Sequence, residues 1–463
     1  MKRQIFLHKI ILVFITVLTS SSAFCQTDTL RVMAYNVLNY GEYPLCQGPN
    51  INYHNYLKTI VQYANPDILS LEKMGSIKYS SSDHAYTAEI DFQDSILKYA
   101  LNPVFPGRFN YAPFTNYSGA NTFSMMYYNQ QKLGCIGIVL NYPNNEDFNT
   151  YKLFYKDPNL ATTHDTTFLY VTVNHDISGS SSATERGLQI AGVMNQMKSK
   201  FMHLANMINM GDFNVRYSTE PLYQTLTNPS DTNFRYYDPP FYPDALFSYP
   251  ADWDSDPDIY TKYLTTSTRA LGNVPNSCGT NGGGKNWYDH IFLSPWIVNN
   301  TNYISYIHNS YRAIGNDGHR LGISVNDAPT NTSAPAPVID ALFQMSNKYP
   351  VMVDLLVNQN TTSISPMDPE GHPAAVLNTN MPETKIGIHN PVQDQLELIF
   401  APYFINKELQ LDCIDVLGRV VMHQNILVTG NSISVPVKMA PGRYFIRIGE
   451  NGHTIFNSIV ESL

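Results

Sequence analysis

Four short polar clusters stand at the ends of apolar runs, and each carries residue types that can move a proton or position an oxygen. Asn36 closes Val32-Met33-Ala34-Tyr35, and Asn174-His175 closes Tyr170-Val171-Thr172-Val173. Gly211-Asp212-Phe213-Asn214 follows Met207 to Met210, and Asp289-His290 opens Ile291-Phe292-Leu293. Residues two apart in a strand share a face, so Asp212 and Asn214 are expected to enter one site. A carboxylate and an amide there can hold a water, a phosphate oxygen or a divalent ion. Each cluster alone has a plainer reading. A strand-end histidine such as His175 is more often structural, and Gly-Asp-Phe-Asn can be a turn in which Asp212 satisfies backbone donors. Four such groups on four successive candidate strands point to a common site.

The elements that must position these groups alternate along the chain. Apolar runs at 30–37, 68–71, 123–128, 168–173, 207–213, 287–293 and 350–357 read as strands. Leu57, Ile60, Val61 and Ala64 fall on one face of a helix that Asn65-Pro66-Asp67 ends. Helices are also expected at 91–100, with Phe92, Ile96 and Leu97 inward, at 184–202, with Leu188, Ala191, Met194 and Met197 apolar, and at 338–344. This predicts a layered α/β domain over 28–358. The stretch 215–285, dense in Tyr, Pro, Asp and Ser, is expected to form long loops near the site, its tyrosines packing those loops. A polar linker follows at 359–384. Beyond it, short strands with turns at Gly418-Arg419 and Pro441-Gly442-Arg443 suit a small all-β sandwich over 385–463.

Lys2, Arg3 and Lys9 precede the apolar run 10–18 and a short polar exit to Cys25, the layout of a secretory signal peptide over 1–25. Acylation of Cys25 is the alternative, set against by Phe24 where a small residue is expected. No other stretch approaches the ~20 apolar residues that span a bilayer. The remaining Cys46, Cys135, Cys278 and Cys413 are too scattered for a metal cluster, while Cys46 and Cys278 sit in loops where they could pair. The formal charge is −9, and loss of the three leader cations makes it −12. With no Lys/Arg run, tight nucleic-acid binding is not expected.

The strand-end clusters, together with Ala34-Tyr35-Asn36-Val37-Leu38-Asn39-Tyr40 and Pro66-Asp67-Ile68-Leu69-Ser70-Leu71, resemble the endonuclease/exonuclease/phosphatase superfamily, the DNase I-like fold, from about Leu30 to Val357. The resemblance implies a two-layered β-sandwich flanked by helices that hydrolyses phosphoesters with Mg²⁺ or Mn²⁺. It implies that Asn36 positions the ligand or metal, that His175 contacts phosphate or assists the leaving group, and that Asp212 and Asn214 orient water and stabilise the reacting phosphate. Asp289 would hold the metal or the catalytic histidine.

This chain departs from that pattern at two places. Where the family carries Gln-Glu, the Glu being its principal metal ligand, stand Glu72 and Lys73; where it carries Ser-Asp-His before the last strand, stand Ser346-Asn347-Lys348. Lys73 is therefore expected to offset Asp212 and Asp289 in place of an ion, and Lys348 replaces a group titrating near neutrality with a poor general base. Glu72 is expected to reach the ion only if its strand slips by one residue, which would turn Leu69 and Leu71 to the other face. Asp317-Gly318-His319 is the other candidate source of a base. No cofactor is expected on the first reading, and Mg²⁺ or Mn²⁺ if the site is active.

The tail has a resemblance of its own. Asn390-Pro391, Asp415-Val416-Leu417-Gly418-Arg419-Val420 and Met439-Ala440-Pro441-Gly442-Arg443-Tyr444-Phe445 resemble the C-terminal sorting domain of the type IX secretion system. That implies a Bacteroidetes-type host, the secretion machinery as partner, and a protein released or attached at the outer surface. An accessory sandwich that binds a surface polymer is the alternative. The whole chain then has two candidate functions: a hydrolase-derived protein that now binds a ligand or phosphoester in the old cleft, or an active metal-dependent nuclease or phosphodiesterase using Glu72 or His319.

Overall fold

The computed structural model describes residues 27–40, 53–75, 94–163, 166–242, 247, 249–271, 279–299, 303–358, 386–388, 392, 394–400, 404–415, 419–430, 432–450 and 453–462. The expected leader, the linker, Cys46 and Cys278 lie outside them. The chain divides into two compact units, Met1–Val376 and Leu377–Leu463. Among the described residues no helix is long and apolar enough to cross a membrane.

The strands of the first unit are, in chain order, β1 (Thr27–Tyr40), β2 (Ile68–Gly75), β3 (Phe109–Tyr111), β4 (Thr122–Asn129), β5 (Leu133–Asn144), β6 (Glu146–Tyr155), β7 (Phe168–His175), β8 (Met207–Asp212), β9 (Asp289–Leu293), β10 (Ile304–Tyr306), β11 (Arg312–Ala313) and β12 (Val351–Asn358). One sheet runs β10-β12-β1-β2-β4-β3, with β11 also on β12; the other runs β5-β6-β7-β8-β9. β1 and β2 lie against β7 and β8, and β12 against β9, so the sheets stack face to face. The fold is an α/β sandwich of two sheets with helices outside it.

Alternation along the strands decides which residues enter the space between the sheets. Met33, Tyr35 and Val37 of β1, Leu69 and Leu71 of β2, and Met125 and Tyr127 of β4 belong to an outer core with two helices. Those helices are α1 (Tyr53–Ala64), which buries Tyr53, Leu57, Ile60, Val61 and Ala64, and α4 (Ala336–Met345). Asn65, at φ +52°, and Pro66 stop α1. The opposite set, Asn36 on β1 and Ser70 and Glu72 on β2, therefore faces the second sheet. Buried Asp67 ties the start of β2 to its neighbours, accepting from Arg31 N at 3.1 Å, Asn129 Nδ2 at 2.7 Å and Arg108 Nη2 at 2.9 Å.

On the far side of the second sheet lie α2 (Ala183–Lys200) and α3 (Pro221–Thr227). Glu185 in the first turn of α2 and Lys198 and Lys200 in the last complement its dipole. Its buried stripe is Arg186, Gly187, Gln189, Ile190, Val193, Met194 and Met197, whereas Leu188, expected inside, is 65% exposed. The reason is polar. Arg186 is fully buried with Glu220, at 2.8 Å, and also donates to Gly179 O at 2.7 Å. The helix turns to make these bonds, and Leu188 is carried outward. The helix expected at 91–100 is described from 94 and ends in a π-helical turn, Leu97–Leu101.

The second unit holds two antiparallel sheets, Ile386–Ile388, Gln395–Phe400 and Ser432–Pro436 in one, and Val420–Leu427, Glu408–Asp415, Gly442–Glu450 and His453–Ser462 in the other. Leu396, Leu398, Leu411, Cys413, Ile446, Ile448 and Val460 form its core. This is the expected all-β region.

Gly211 tests the join between β7 and β8. Its φ is +138°, and a Cβ there would lie 2.0 Å from the Asn174 carbonyl oxygen, while Gly107, at φ +67°, has open space around it. Gly211→Ala is expected to cost about 2–4 kcal/mol in urea unfolding, against about 1 kcal/mol for Gly107→Ala. Equal costs would mean that β7 and β8 do not approach closely.

Candidate functional site

Asp212 ends β8 and Asp289 begins β9, and the two are directly opposed in the ladder; His175 ends β7 opposite Asp212. All three sit where the strands emerge from the sandwich. Asn36 Nδ2 donates to Asp212 Oδ2 at 2.7 Å across the two sheets, and its own Oδ1 accepts from Leu38 N. Asn214, at φ +49°, donates from its backbone to Asp212 Oδ1 at 3.1 Å and from Nδ2 to the Asp176 carbonyl at 2.9 Å. The structure thus brings Asn36, His175, Asp212, Asn214 and Asp289 together.

Lys348 Nζ lies between the two carboxylates, 2.9 Å from Asp212 Oδ2 and 3.5 Å from Asp289 Oδ2. It is 5% exposed and sits 4.7 Å from the centre of the Tyr288 ring. Its backbone is fixed from both sides. Ser346 Oγ donates to the Asn36 carbonyl at 2.7 Å, Thr268 Oγ1 donates to Ser346 O at 2.5 Å, and Asn347 Nδ2 donates to Thr280 Oγ1 at 2.7 Å. The ammonium expected from Lys73 is therefore supplied by Lys348. Lys73 follows Glu72 at a break in the β2–β4 register, with φ +58°, and lines the rim of the cleft.

Glu72 also departs from expectation. It pairs with Asn36 in the parallel register of β1 and β2 and is fully buried. No strand slip is needed to bring it inward, since Leu69 and Leu71 already face the helices. Ser70 Oγ donates to its Oε1, and Oε2 has no partner. Glu72 lies before the irregularity, so plain alternation from Leu69 and Leu71 turns it inward, and the bulge displaces only Lys73 and the residues after it. His319, the substitute base, is exposed on a loop whose Asp317 is held by Arg320 at 2.9 Å, and it is not among the residues lining the cleft.

Two acidic residues with no motif around them complete the site. Glu146 opens β6 and sits 2.6 Å from His175 Nδ1, where it also accepts from Thr122 Oγ1. It orients the imidazole. Asp176 is 1% exposed, lines the cleft, and has no partner for either carboxyl oxygen. The sequence signal for Glu146 was the Asn144-Asn145 turn between β5 and β6. Glycine, proline and half-exposed positions in β5 blur the strand pattern there.

The charges are settled by these neighbours. Burial would raise the Asp212 carboxyl, but Lys348 and His175 outweigh it and hold it below its ordinary value. Burial pushes Asp289 up to about 7, relieved by Lys348 and reinforced by Asp212. Burial would lower Lys348, yet the two aspartates raise it. Glu72 and Asp176 are both pushed well above the carboxylate range by burial, with repulsion from Asp212 added to each. The site is one ion pair surrounded by carboxyl groups that favour their protons.

This arrangement does not fit Mg²⁺ or Mn²⁺. Mg²⁺ is usually held by one or two carboxylates with waters, and here an ammonium stands between the two aspartates, where it would repel the ion, while Glu72 favours its proton. Among the described residues no group of three or more His, Cys, Asp or Glu could hold a metal. The cleft above has a volume of about 610 Å³, and amides and hydroxyls, among them Asn121, Asn145, Asn347, Thr280 and Ser178, share its wall with the charged groups.

Residues 390–461 match the model of the secretion system C-terminal sorting domain. No curated protein matches the chain. Among solved structures the chain is similar to the human Nocturnin catalytic domain with bound sulfate, at 14% identity and TM-score 0.39, over 71% of this chain and 97% of that one. It is similar to an endonuclease/exonuclease/phosphatase from Beutenbergia cavernae, at 12% identity and TM-score 0.38, over 94% and 99%. It is also similar to truncated TDP2 of Caenorhabditis elegans, at 12% identity and TM-score 0.36, over 71% and 98%.

Lys348→Met is expected to lower stability at pH 8 by about 3–5 kcal/mol in chemical unfolding, because two buried carboxylates lose their counter-charge. Mn²⁺ should then raise the Tm of the variant more than that of the wild type. An unchanged stability would mean that the carboxylates are not held by this ammonium. Asp289 gives a pH signature. Unfolded, it releases its proton near 3.8; folded, it keeps it to about 7, so its contribution favours folding at low pH and is lost across that window. Asp289→Asn removes the loss, and its stability relative to wild type should climb between about pH 4 and pH 7. A flat difference in urea unfolding would contradict the buried, proton-favouring carboxyl.

Proposed function

We propose that this chain is an exported protein whose first unit binds a polar ligand, a phosphoester or a group of similar shape, in the Lys348 cleft without a divalent ion and with hydrolysis impaired or lost. The observation that carries the reading is the Lys348 ammonium 2.9 Å from Asp212 and 3.5 Å from Asp289. It supplies the positive charge that the two carboxylates require, and it occupies the place an ion would need. Export rests on the sorting domain at 390–461, which indicates type IX secretion to the outer surface or the extracellular space and contact with that machinery.

The roles follow from the atoms. Asn36 and Asn214 fix Asp212, and Glu146 fixes His175, leaving the far imidazole nitrogen to meet a ligand oxygen at the cleft floor. Burial pushes Asp176 well above the carboxylate range, so its unpartnered carboxyl is suited to donate to a ligand acceptor, and Asn347 Oδ1, which has no partner, is an acceptor for a ligand donor. What is missing is the base expected at position 348: Lys348 is raised further from neutrality by its aspartates, so its amine offers no lone pair to activate water. The active-hydrolase alternative loses His319 by its position outside the cleft and keeps only Glu72, which lies beneath the floor with its proton favoured.

Hydrolysis of bis-p-nitrophenyl phosphate separates these readings. The wild type should stay at background with Mg²⁺, Mn²⁺ or without metal. Asn347→Asp combined with Lys348→His should raise the Mn²⁺-dependent rate at least about tenfold, because it restores a group titrating near neutrality and removes the ammonium. Metal-dependent turnover by the wild type that disappears in Asp212→Asn would defeat the proposal.

A further inference from the structure

A second cleft, of about 860 Å³, opens between α3 and the loop residues 235–242, 247 and 249, and is walled by aromatic rings. Tyr237 and Tyr242 pack with ring centres 4.3 Å apart, and Phe241 and Phe247 at 5.5 Å. Tyr249, on the rim, is 52% exposed. The phenol of Tyr242 donates to Asn299 Oδ1 at 2.5 Å and that of Tyr249 to the Ser218 carbonyl at 3.0 Å. Their hydroxyls are thus engaged within the protein, which leaves ring carbon as the surface offered to a ligand.

Two polar groups in the same wall are incomplete. Asp238 is 2% exposed; its Oδ2 accepts from Tyr223 Oη at 3.0 Å and lies 3.0 Å from His290 Nδ1, while Oδ1 has no partner. Arg235 holds its guanidinium 4.8 Å from the Tyr237 ring centre, and its Nε has no partner. A buried acceptor and donor left unmade cost more than a formed pair returns, so their presence beside an open cleft points to a ligand that completes them.

We propose that this cleft binds a neutral oligosaccharide. A sugar ring has an apolar C–H face that packs on aromatic carbon and a rim of hydroxyls that both donate, as Asp238 Oδ1 requires, and accept, as Arg235 Nε requires. A purely apolar ligand would leave both groups unsatisfied. A phosphate-bearing ligand would bring its charge toward the Asp238 carboxyl of a chain whose net charge is −9. The volume accommodates more than one ring, which favours a short chain over a monosaccharide. The residues lining this cleft do not line the Lys348 cleft.

The full-length protein is titrated by calorimetry with cellotetraose, xylotetraose, mannotetraose and maltotetraose, with adenosine as a flat-ring control. At least one oligosaccharide should bind at millimolar or lower concentration, and Tyr237→Ala and Tyr242→Ala should each weaken it about tenfold. Asp238→Asn should do the same, and if that variant fails to fold the two tyrosine variants decide. The proposal is overturned if none of the four sugars binds, if adenosine binds in their place, or if binding survives both tyrosine substitutions unchanged.

Discussion

Two carboxylates face each other across adjacent strands in a dry interior, and the molecule has to live with that repulsion. Asp212 and Asp289 are each 1% exposed and stand opposite one another in the β8–β9 ladder. At such separations in a low-dielectric setting, like charges repel by several kcal/mol unless a proton or a cation intervenes. The protein uses both. Lys348 holds the Asp212 carboxyl below its ordinary value, and burial pushes Asp289 up to about 7. Much of the surrounding structure is arranged around that solution. Ser346 is clipped to the Asn36 carbonyl, Thr268 holds Ser346, and Thr265 Oγ1 accepts from the backbone of Tyr288 and Asp289. A cation on a flexible stem is useful here only if its backbone cannot wander, and these bonds remove that freedom.

The frame of the first unit was legible because its strands are apolar runs between turn signals and its outer helices carry a regular stripe. Asn36, His175, Asp212, Asn214 and Asp289 were legible for the same reason, since a strand end is readable and alternation then sets the face. The rest was hidden for physical reasons that differ from residue to residue. Glu72 faces inward without the strand slip that was expected to be needed, and Lys73 does not reach the aspartates because the strand's alternation breaks there. Lys348 was recognised as a substitution, but its destination depends on side-chain reach, which no spacing in the sequence encodes. Glu146 was missed because the β5–β6 hairpin is rich in Asn, Gly and Pro, and Asp176 because a buried unpaired carboxyl has no sequence pattern. Leu188 faced the wrong way because Arg186 needed Glu220, a contact between residues 34 apart.

The exported character and the cleft chemistry are connected through charge. The second unit contributes no concentration of catalytic residue types, and its match to a sorting domain accounts for its presence without giving it a role in the cleft. The first unit then has to work outside the cell on its own internal charges. A site neutralised by a covalently attached ammonium keeps its shape whatever the surrounding concentration of divalent ions, whereas a site neutralised by a bound ion would follow that concentration.

The clip around Lys348 also governs how the chain can change. Positions 212, 289 and 348 share one charge balance, so a substitution at any one of them is judged by what stands at the other two. Loss of the lysine leaves two buried carboxylates, and loss of both carboxylates leaves a buried ammonium. Each single step away from the present set is costly, though a concerted change can be neutral. In the language of sequence variation, the three positions form one epistatic block, able to drift together and poorly able to drift apart.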